Sequence, residues 1–384
     1  MNFKLFFITI VIVFSSCVKS DNTKNKPEAI IPIDITKAAI FDLNDFDKEP
    51  INIIRYVPLE TTDSSLIGAM EKIFLYKDDI IIFDSKPNKI LLFKQNGRFV
   101  RQIGSRGGGP DEYIRINDVF FEKSSGLIYA HERLKNVVYV YNLDGEIINK
   151  IKPFFSFNSF CKTEEGFWLY TCFENHNPNG YNLMLVDNSM QRMIRGYFPQ
   201  NPKFINVEFM SRFRFDSEGT AYFTYPTSNC IYKLSGQEPE IFYKIDFGNK
   251  TAPYEQIAKI ETHDEYNKLL ENDFFMLGNY YIWNNILIFY FSESSLYKPH
   301  TIYSAFYNNE DSKLNIYKGF IRSLKIPSTT ITWVSGSSLV WSVNPYELEK
   351  DYLEYLEKQV NVKLNDESNP VLVIVTPKTK ISEQ

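Results

Sequence analysis

The chain has 384 residues, room for one large β domain or two ordinary ones. Aromatics are 16% of it, with 25 Tyr and 32 Phe, which favours strands over helices, and 44% hydrophobic content is enough for a substantial core. A net charge of −5 with no basic tract argues against a nucleic-acid partner.

Residues 1–17 read as an export segment. Lys4 supplies the positive start, Leu5 to Phe14 the apolar core, and Ser15-Ser16-Cys17 small residues followed by a cysteine. The run is too short to persist as a membrane-spanning helix. The pattern resembles a bacterial lipoprotein signal, with Phe14 in place of the usual aliphatic residue three positions before the cysteine. That resemblance implies cleavage after residue 16 and lipidation of Cys17, anchoring the protein to a membrane without spanning it. An ordinary secretory signal with an incidental cysteine is the alternative. Loss of residues 1–16 removes one charge, Lys4, and takes the net charge from −5 to −6. Residues 18–30 are polar and aperiodic, so 17–40 is expected to be a lipidated flexible tether and 41–384 a single folded domain.

Ile51 to Leu59 is an isolated apolar strand, placed to complete a last structural unit and close a ring. Residues 80–97 and 128–145 then align without a gap at a shift of 48. Asn88 falls on Asn136, Phe93 on Tyr141, and Asn96-Gly97 on Asp144-Gly145. Asx-Gly pairs between apolar runs mark hairpins. With a preceding strand (Ile67 to Tyr76; Ile114 to Glu122) and a final one (Arg98 to Ile103; Glu146 to Ile151), each copy has four strands, the unit of a propeller blade. Weaker copies follow at Phe157 to Pro199, Phe204 to Phe247, Phe274 to Ile321, and from Ile331 through Val371 to Val375. The expected fold is all-β, a six-bladed β-propeller. Two helical insertions interrupt it, at Tyr254 to Asn272 and Tyr346 to Val360, where apolar residues recur at helical spacing. Their stripes are expected to pack on the propeller, with docking of a partner as the alternative.

Between the first two copies lies Arg101-Gln-Ile-Gly-Ser-Arg-Gly-Gly-Gly-Pro-Asp-Glu-Tyr113. Gly104, Gly107, Gly108 and Gly109 permit positive φ, and Pro110 ends strand pairing. The plain reading is a shaped connection. The functional reading is a ligand-binding loop of Arg106, Gly107, Gly108, Gly109, Asp111 and Glu112, with backbone N–H groups turned toward an anion. It is neither a P-loop nor a dinucleotide fingerprint.

Cys161, Cys172 and Cys230 cannot all pair internally and are expected to be free. His131, His176, His263 and His300 lie on separate units, without metal-ligand spacing or a nucleophile motif. His131 aligns with Phe83, a match that suggests packing rather than reaction. No metal site and no cofactor is predicted, although divalent-metal binding through loops stays open. Trp168, Tyr170, Trp283, Trp333 and Trp341 suit packing between blades, and any exposed one offers a platform for a sugar ring.

Three stretches carry a family resemblance. Ile103-Gly-Ser-Arg-Gly-Gly-Gly-Pro-Asp-Glu-Tyr113 resembles an Ile-Gly-x-x-Gly-x-Gly-Pro-Gly-Glu-Tyr loop, with Asp111 replacing glycine. Asn229-Cys-Ile-Tyr-Lys-Leu234 resembles an Asp-x-Ile-Tyr strand, and Asp366-Glu-Ser-Asn-Pro-Val-Leu-Val373 an acidic Asn-Pro strand entry. These are features of six-bladed β-propeller lipoproteins of Gram-negative gut bacteria, distantly similar to NHL-repeat propellers. The resemblance implies outer-membrane lipid anchoring, on the periplasmic or the cell-surface side, and assigns no activity. The expected role is a non-enzymatic binding or scaffold module for glycan or peptide ligands. The alternatives are a glycan-active hydrolase or lyase, or an NHL-type lyase, working at the central channel, and docking to an outer-membrane protein complex. Catalytic residues are not identifiable from the sequence.

Overall fold

A computed structural model describes residues 29–37, 39–41, 51–172, 180–200, 213–226, 228–298, 300–319 and 333–377. Its strands form six sheets, each built around four strands, arranged as a six-bladed β-propeller. Blade 1 comprises Met70–Tyr76, Asp79–Asp84, Lys89–Lys94 and Phe99–Ile103; blade 2 comprises Ile116–Glu122, Leu127–Glu132, Val137–Tyr141 and Ile147–Ile151. Blade 3 comprises Ser159–Thr163, Gly166–Tyr170, Tyr181–Val186 and Met193–Pro199; blade 4 comprises Arg214–Phe215, Ala221–Thr224, Cys230–Leu234 and Glu240–Asp246. Blade 5 comprises Phe274–Trp283, Ile286–Ser294, Thr301–Asn308 and Leu314–Lys318. Blade 6 takes Trp333–Ser335, Ser338–Val343 and Val371–Pro377 from the end of the chain and its outer strand, Ile51–Pro58, from the beginning. The isolated strand near the start therefore closes the ring.

The first strands of neighbouring blades contact one another and surround the central channel. Middle strands are covered on both faces by the adjacent blades, so Ile80 to Asp84 and Ile128 to Glu132 are buried without alternation. Outer strands such as Ile147–Ile151 meet water and are largely exposed. The internal repeat has a structural basis. Asn88 and Asn136 both adopt left-handed φ, 62° and 50°. Both turn their amides to the next connection between blades, Asn88 to the Ile116 carbonyl and Asn136 to that of Pro153. Their partners in the repeat, Asp84 and Glu132, accept backbone N–H groups in the turns that follow.

Part of the tether expectation is corrected. Ala29–Pro32 pairs in parallel with Tyr243 to Asp246 of blade 4, and Ile40–Phe41 in parallel with Ile316 and Tyr317 of blade 5. The start of the chain thus crosses the rim of blades 4, 5 and 6 in turn. The physical reason is the unpaired outer edge of each blade, which accepts a further strand, and Ile31 is fully buried there. Residues 17–28, including Cys17, lie outside the described residues.

Both helical insertions form. Helices α1 (Tyr254–Ile257) and α2 (His263–Leu270) join blades 4 and 5, and α3 (Lys350–Val360) interrupts blade 6. The Thr262 hydroxyl caps α2 by accepting the Glu265 N–H, and α3 ends on Asn361 in the left-handed region. Ile257 and Ile260 pack on Phe274 and Met276, and Leu356 joins the core of blades 5 and 6, so the stripes face inward. Among the described residues no helix is long and apolar enough to cross a membrane. Cys161 and Cys230 are buried and Cys172 is half-buried, and none of the three forms a disulfide among the described residues.

The meander order gives the disc two distinct faces. Turns after the first and third strands of each blade lie on one, the turn face. Turns after the second strands, the helices and the connections between blades lie on the other, the loop face.

Candidate ligand site at the channel mouth

The glycine-rich connection lies on the loop face, and its geometry is that of a self-satisfied turn. Tyr113 is fully buried; its N–H reaches the Ser105 carbonyl and its own carbonyl accepts from Gly107 N–H. Glu112 folds back so that its carboxylate accepts the Gly109 N–H at 2.8 Å. Only Gly104 uses positive φ, at 68°. Gly107 does not use positive φ, and a Cβ there would lie 2.0 Å from the folded-back Glu112 carboxylate, so a side chain at this position would displace Glu112. Lys135 Nζ donates to the carbonyls of Gly109 and Glu112, and Lys150 to the Pro110 carbonyl and the Asp111 carboxylate. The loop therefore turns carbonyls toward two lysines, while the N–H groups of Gly107 and Gly109 are engaged inside it. Arg106, Gly108 and Asp111 are exposed.

The large cavity is elsewhere. About 970 Å³ opens on the turn face, at the mouth of the channel and into the cleft between blades 2 and 3. The strand Ile116–Glu122 separates it from the glycine loop, roughly 20 Å away at the rise of a β-strand. Its lining comes from the ends of first strands and the turns that follow them. Phe120 and Phe121 precede Glu122 in blade 2, Lys162 and Thr163 precede Glu164 and Glu165 in blade 3, Phe215 precedes Asp216 in blade 4, and Trp333 begins blade 6. Phe74 of blade 1 joins them, with ring centroids 5.8 Å from Phe121 and 5.7 Å from Trp333. Phe120 and Phe215 are 5.5 Å apart.

Below this aromatic wall Arg214 lies across the channel. Its guanidinium sits 5.1 Å from the Tyr281 ring and 5.3 Å from that of Trp333, and it donates to Asn279 at 3.0 Å. A blade 4 cation thus bridges to blades 5 and 6.

Glu122 is a fully engaged carboxylate of the cavity. It accepts from Lys162 at 2.7 Å, Tyr129 at 3.1 Å and Ser125 at 2.5 Å. Burial raises its pKa, but the bonds from Lys162, Ser125 and Tyr129 outweigh it and hold the carboxyl below the ordinary value. Burial correspondingly lowers Lys162, and the Glu122 bond more than restores it. Asp216 is also committed, accepting the N–H groups of Glu218 and Thr220 and the Tyr222 hydroxyl. Burial holds the Lys123 amine below its usual value, with Asp216 opposing.

Most of the histidine and tryptophan candidates fall away from this cavity. His131 is fully buried, stacked on Phe157 at 3.8 Å, and burial lowers its pKa to about 4. Trp168, Trp283 and Trp341 are core, whereas Trp333 lines the cavity. His263 and His300 are exposed, and His176 lies outside the described residues. No group of three or more His, Cys, Asp or Glu among the described residues is placed to hold a metal ion. Hairpin turns such as Thr163-Glu-Glu-Gly166 are the one trace of the cavity legible along the chain, because its lining is drawn one turn at a time from separate blades.

The family described as a domain of unknown function, DUF4934, matches residues 31–376. A crystal structure of a protein from Bacteroides fragilis, described as exported, is similar with a TM-score of 0.72 and 18% identity, covering 91% of this chain and 100% of that one. A DUF4221 family member from Bacteroides vulgatus is similar with a TM-score of 0.50 and 11% identity, covering 85% of this chain and 98% of that one. No curated protein matches the chain.

Proposed function

The chain belongs to the DUF4934 family, and from that premise we propose that it is a cell-envelope lipoprotein whose propeller binds a glycan or peptide at the channel mouth without transforming it. The observation that carries this reading is a cavity of about 970 Å³ with an aromatic wall at the channel mouth. That volume suits a small ligand, and flat rings beside fixed polar groups suit recognition. Hydrolysis of a glycan requires one carboxyl held protonated near neutral pH. Glu122 is held the other way, ionised by Lys162, Ser125 and Tyr129, and Asp216 is occupied by its own turn. Export rests on the leader sequence and on the Bacteroides fragilis protein of similar fold described as exported, and anchoring through Cys17 on the leader sequence.

The test applies the mature chain to a glycan array and a peptide panel, with and without divalent metal, and analyses bound ligands for cleavage. Binding without cleavage is expected, weakened about tenfold by Trp333→Ala or Phe215→Ala. Cleavage of the bound ligand, or unchanged affinity in both variants, overturns the proposal. Replacing Cys17 by Ser should release the protein from the membrane fraction; retention would remove the anchor from it.

A further inference from the structure

Among the described residues two cations are buried inside the ring, Lys72 and Arg214, each 6% exposed. Lys72 has its counter-ion: its amine pairs with Asp118 at 2.5 Å and donates to the Val119 carbonyl at 2.8 Å. Arg214 has none. Its Nη1 donates to the Phe213 carbonyl at 3.2 Å and its Nη2 to Asn279 Oδ1 at 3.0 Å, while Nε is buried without a partner. A guanidinium has five N–H groups, so most of its donor edge is unused. The rings of Tyr281 and Trp333 at its faces offset part of the lost hydration but bring no opposite charge. A charge taken out of water calls for a partner of opposite sign. Carboxylates of the neighbouring blades are spent elsewhere, Asp118 on Lys72, Glu122 on Lys162 and Asp216 on its own turn.

Further donors gather beside this edge. The inner strand of blade 5, Phe274–Trp283, shifts register against Ile286–Ser294 between Leu277 and Tyr280, and Gly278 and Asn279 in that bulge are exposed. Asn279 accepts from Arg214 through Oδ1, which leaves its amide NH2 to donate. The next residue, Tyr280, is buried, and its hydroxyl also lacks a partner. Burial pushes that hydroxyl well up in pKa, and the Arg214 charge opposes the push.

We propose that the channel holds one carboxylate against the open edge of Arg214, with the Asn279 amide as a second donor. The planar fork of a guanidinium matches the two oxygens of a carboxylate. The acid is either a small free one or the acidic group of a larger ligand that enters from the cavity above, where Trp333 lines the wall and touches Arg214 as well. This site does not depend on glycan or peptide binding at the mouth, and either reading can fail without the other.

The test titrates formate, acetate and glucuronate into the mature chain by isothermal calorimetry, in chloride buffer at constant ionic strength. Saturable one-to-one binding is expected. Tighter binding of glucuronate than of formate assigns the site to the acidic group of a larger ligand, and the reverse order to a small free acid. Arg214→Gln should weaken binding about tenfold or more. Asn279→Asp, at an exposed position, places the missing counter-ion within the chain. It should raise the melting temperature by about 2 °C and weaken binding of the acids about tenfold. No saturable binding of any of the three acids, undiminished binding by Asn279→Asp, or a lowered melting temperature for that variant overturns the proposal.

Discussion

Replacing His131 by Phe should remove a specific part of the protein's acid sensitivity. His131 is fully buried, stacked on Phe157, and neither ring nitrogen has a hydrogen-bond partner. Burial takes its pKa from 6.5 to about 4, with Asp118 nearby pulling the other way. The unfolded chain therefore binds the extra proton more readily. Stability from keeping the ring neutral is complete above pH 6.5 and is lost as the pH falls toward the folded value. Between pH 7.5 and 4.5 this one group should cost the native protein about 2–3 kcal/mol. Phenylalanine, the residue at the matching position of blade 1, cannot take up that proton. Its larger ring adds a packing penalty of about 1 kcal/mol or more, the same at every pH. Urea denaturation of both proteins across this range separates the two effects. The stability gap should shift by about 2–3 kcal/mol in favour of the variant on acidification. Parallel pH profiles would refute the buried, neutral assignment.

Other perturbations test the frame. Lys72 and Asp118 form a buried pair at 2.5 Å, and Asp118 also accepts from Ser159 and Phe160 of blade 3. Asp118→Asn leaves an ammonium buried and should cost about 3–5 kcal/mol in urea denaturation. Adding Lys72→Met should recover most of that loss, and simple additivity of the two variants would contradict it. Gly97 and Gly219 have similar φ, 86° and 91°, but a Cβ at Gly97 would lie 1.9 Å from the Pro58 carbonyl oxygen while Gly219 faces open space. Alanine at 219 should cost about 1–2 kcal/mol from backbone strain, and alanine at 97 about 2 kcal/mol more. Equal melting temperatures for the two would show that blade 1 is not pressed against the closing strand.

Much of the frame was legible because blades are local. Asn88 and Asn136, the Asx-Gly turns and the shift of 48 each specify a hairpin within a few dozen residues. Closure was legible too, since Ile51 to Leu59 is an apolar strand with no neighbour to pair with. The parallel additions at 29–32 and 40–41 were not. Strands of four and two residues are too short to show periodicity. The glycine loop was visible as a connection, but the folding back of the Glu112 side chain against Gly107 was not. The cavity was hidden for a different reason. Phe74, Glu122, Lys162, Phe215 and Trp333 are brought together by the ring, and nothing in their local sequences marks them as neighbours.

The route of the chain along the rim also decides how the protein bears a load. Anything that tugs on the segment before Ala29 meets the parallel pairing of 29–32 with blade 4 first, then that of 40–41 with blade 5. Only after both give way does tension reach Ile51–Pro58, the strand that holds the ring shut. The two short strands act as a strain relief, like the clamp on a cable before its connector. They can part and re-form under modest force while the six blades stay closed.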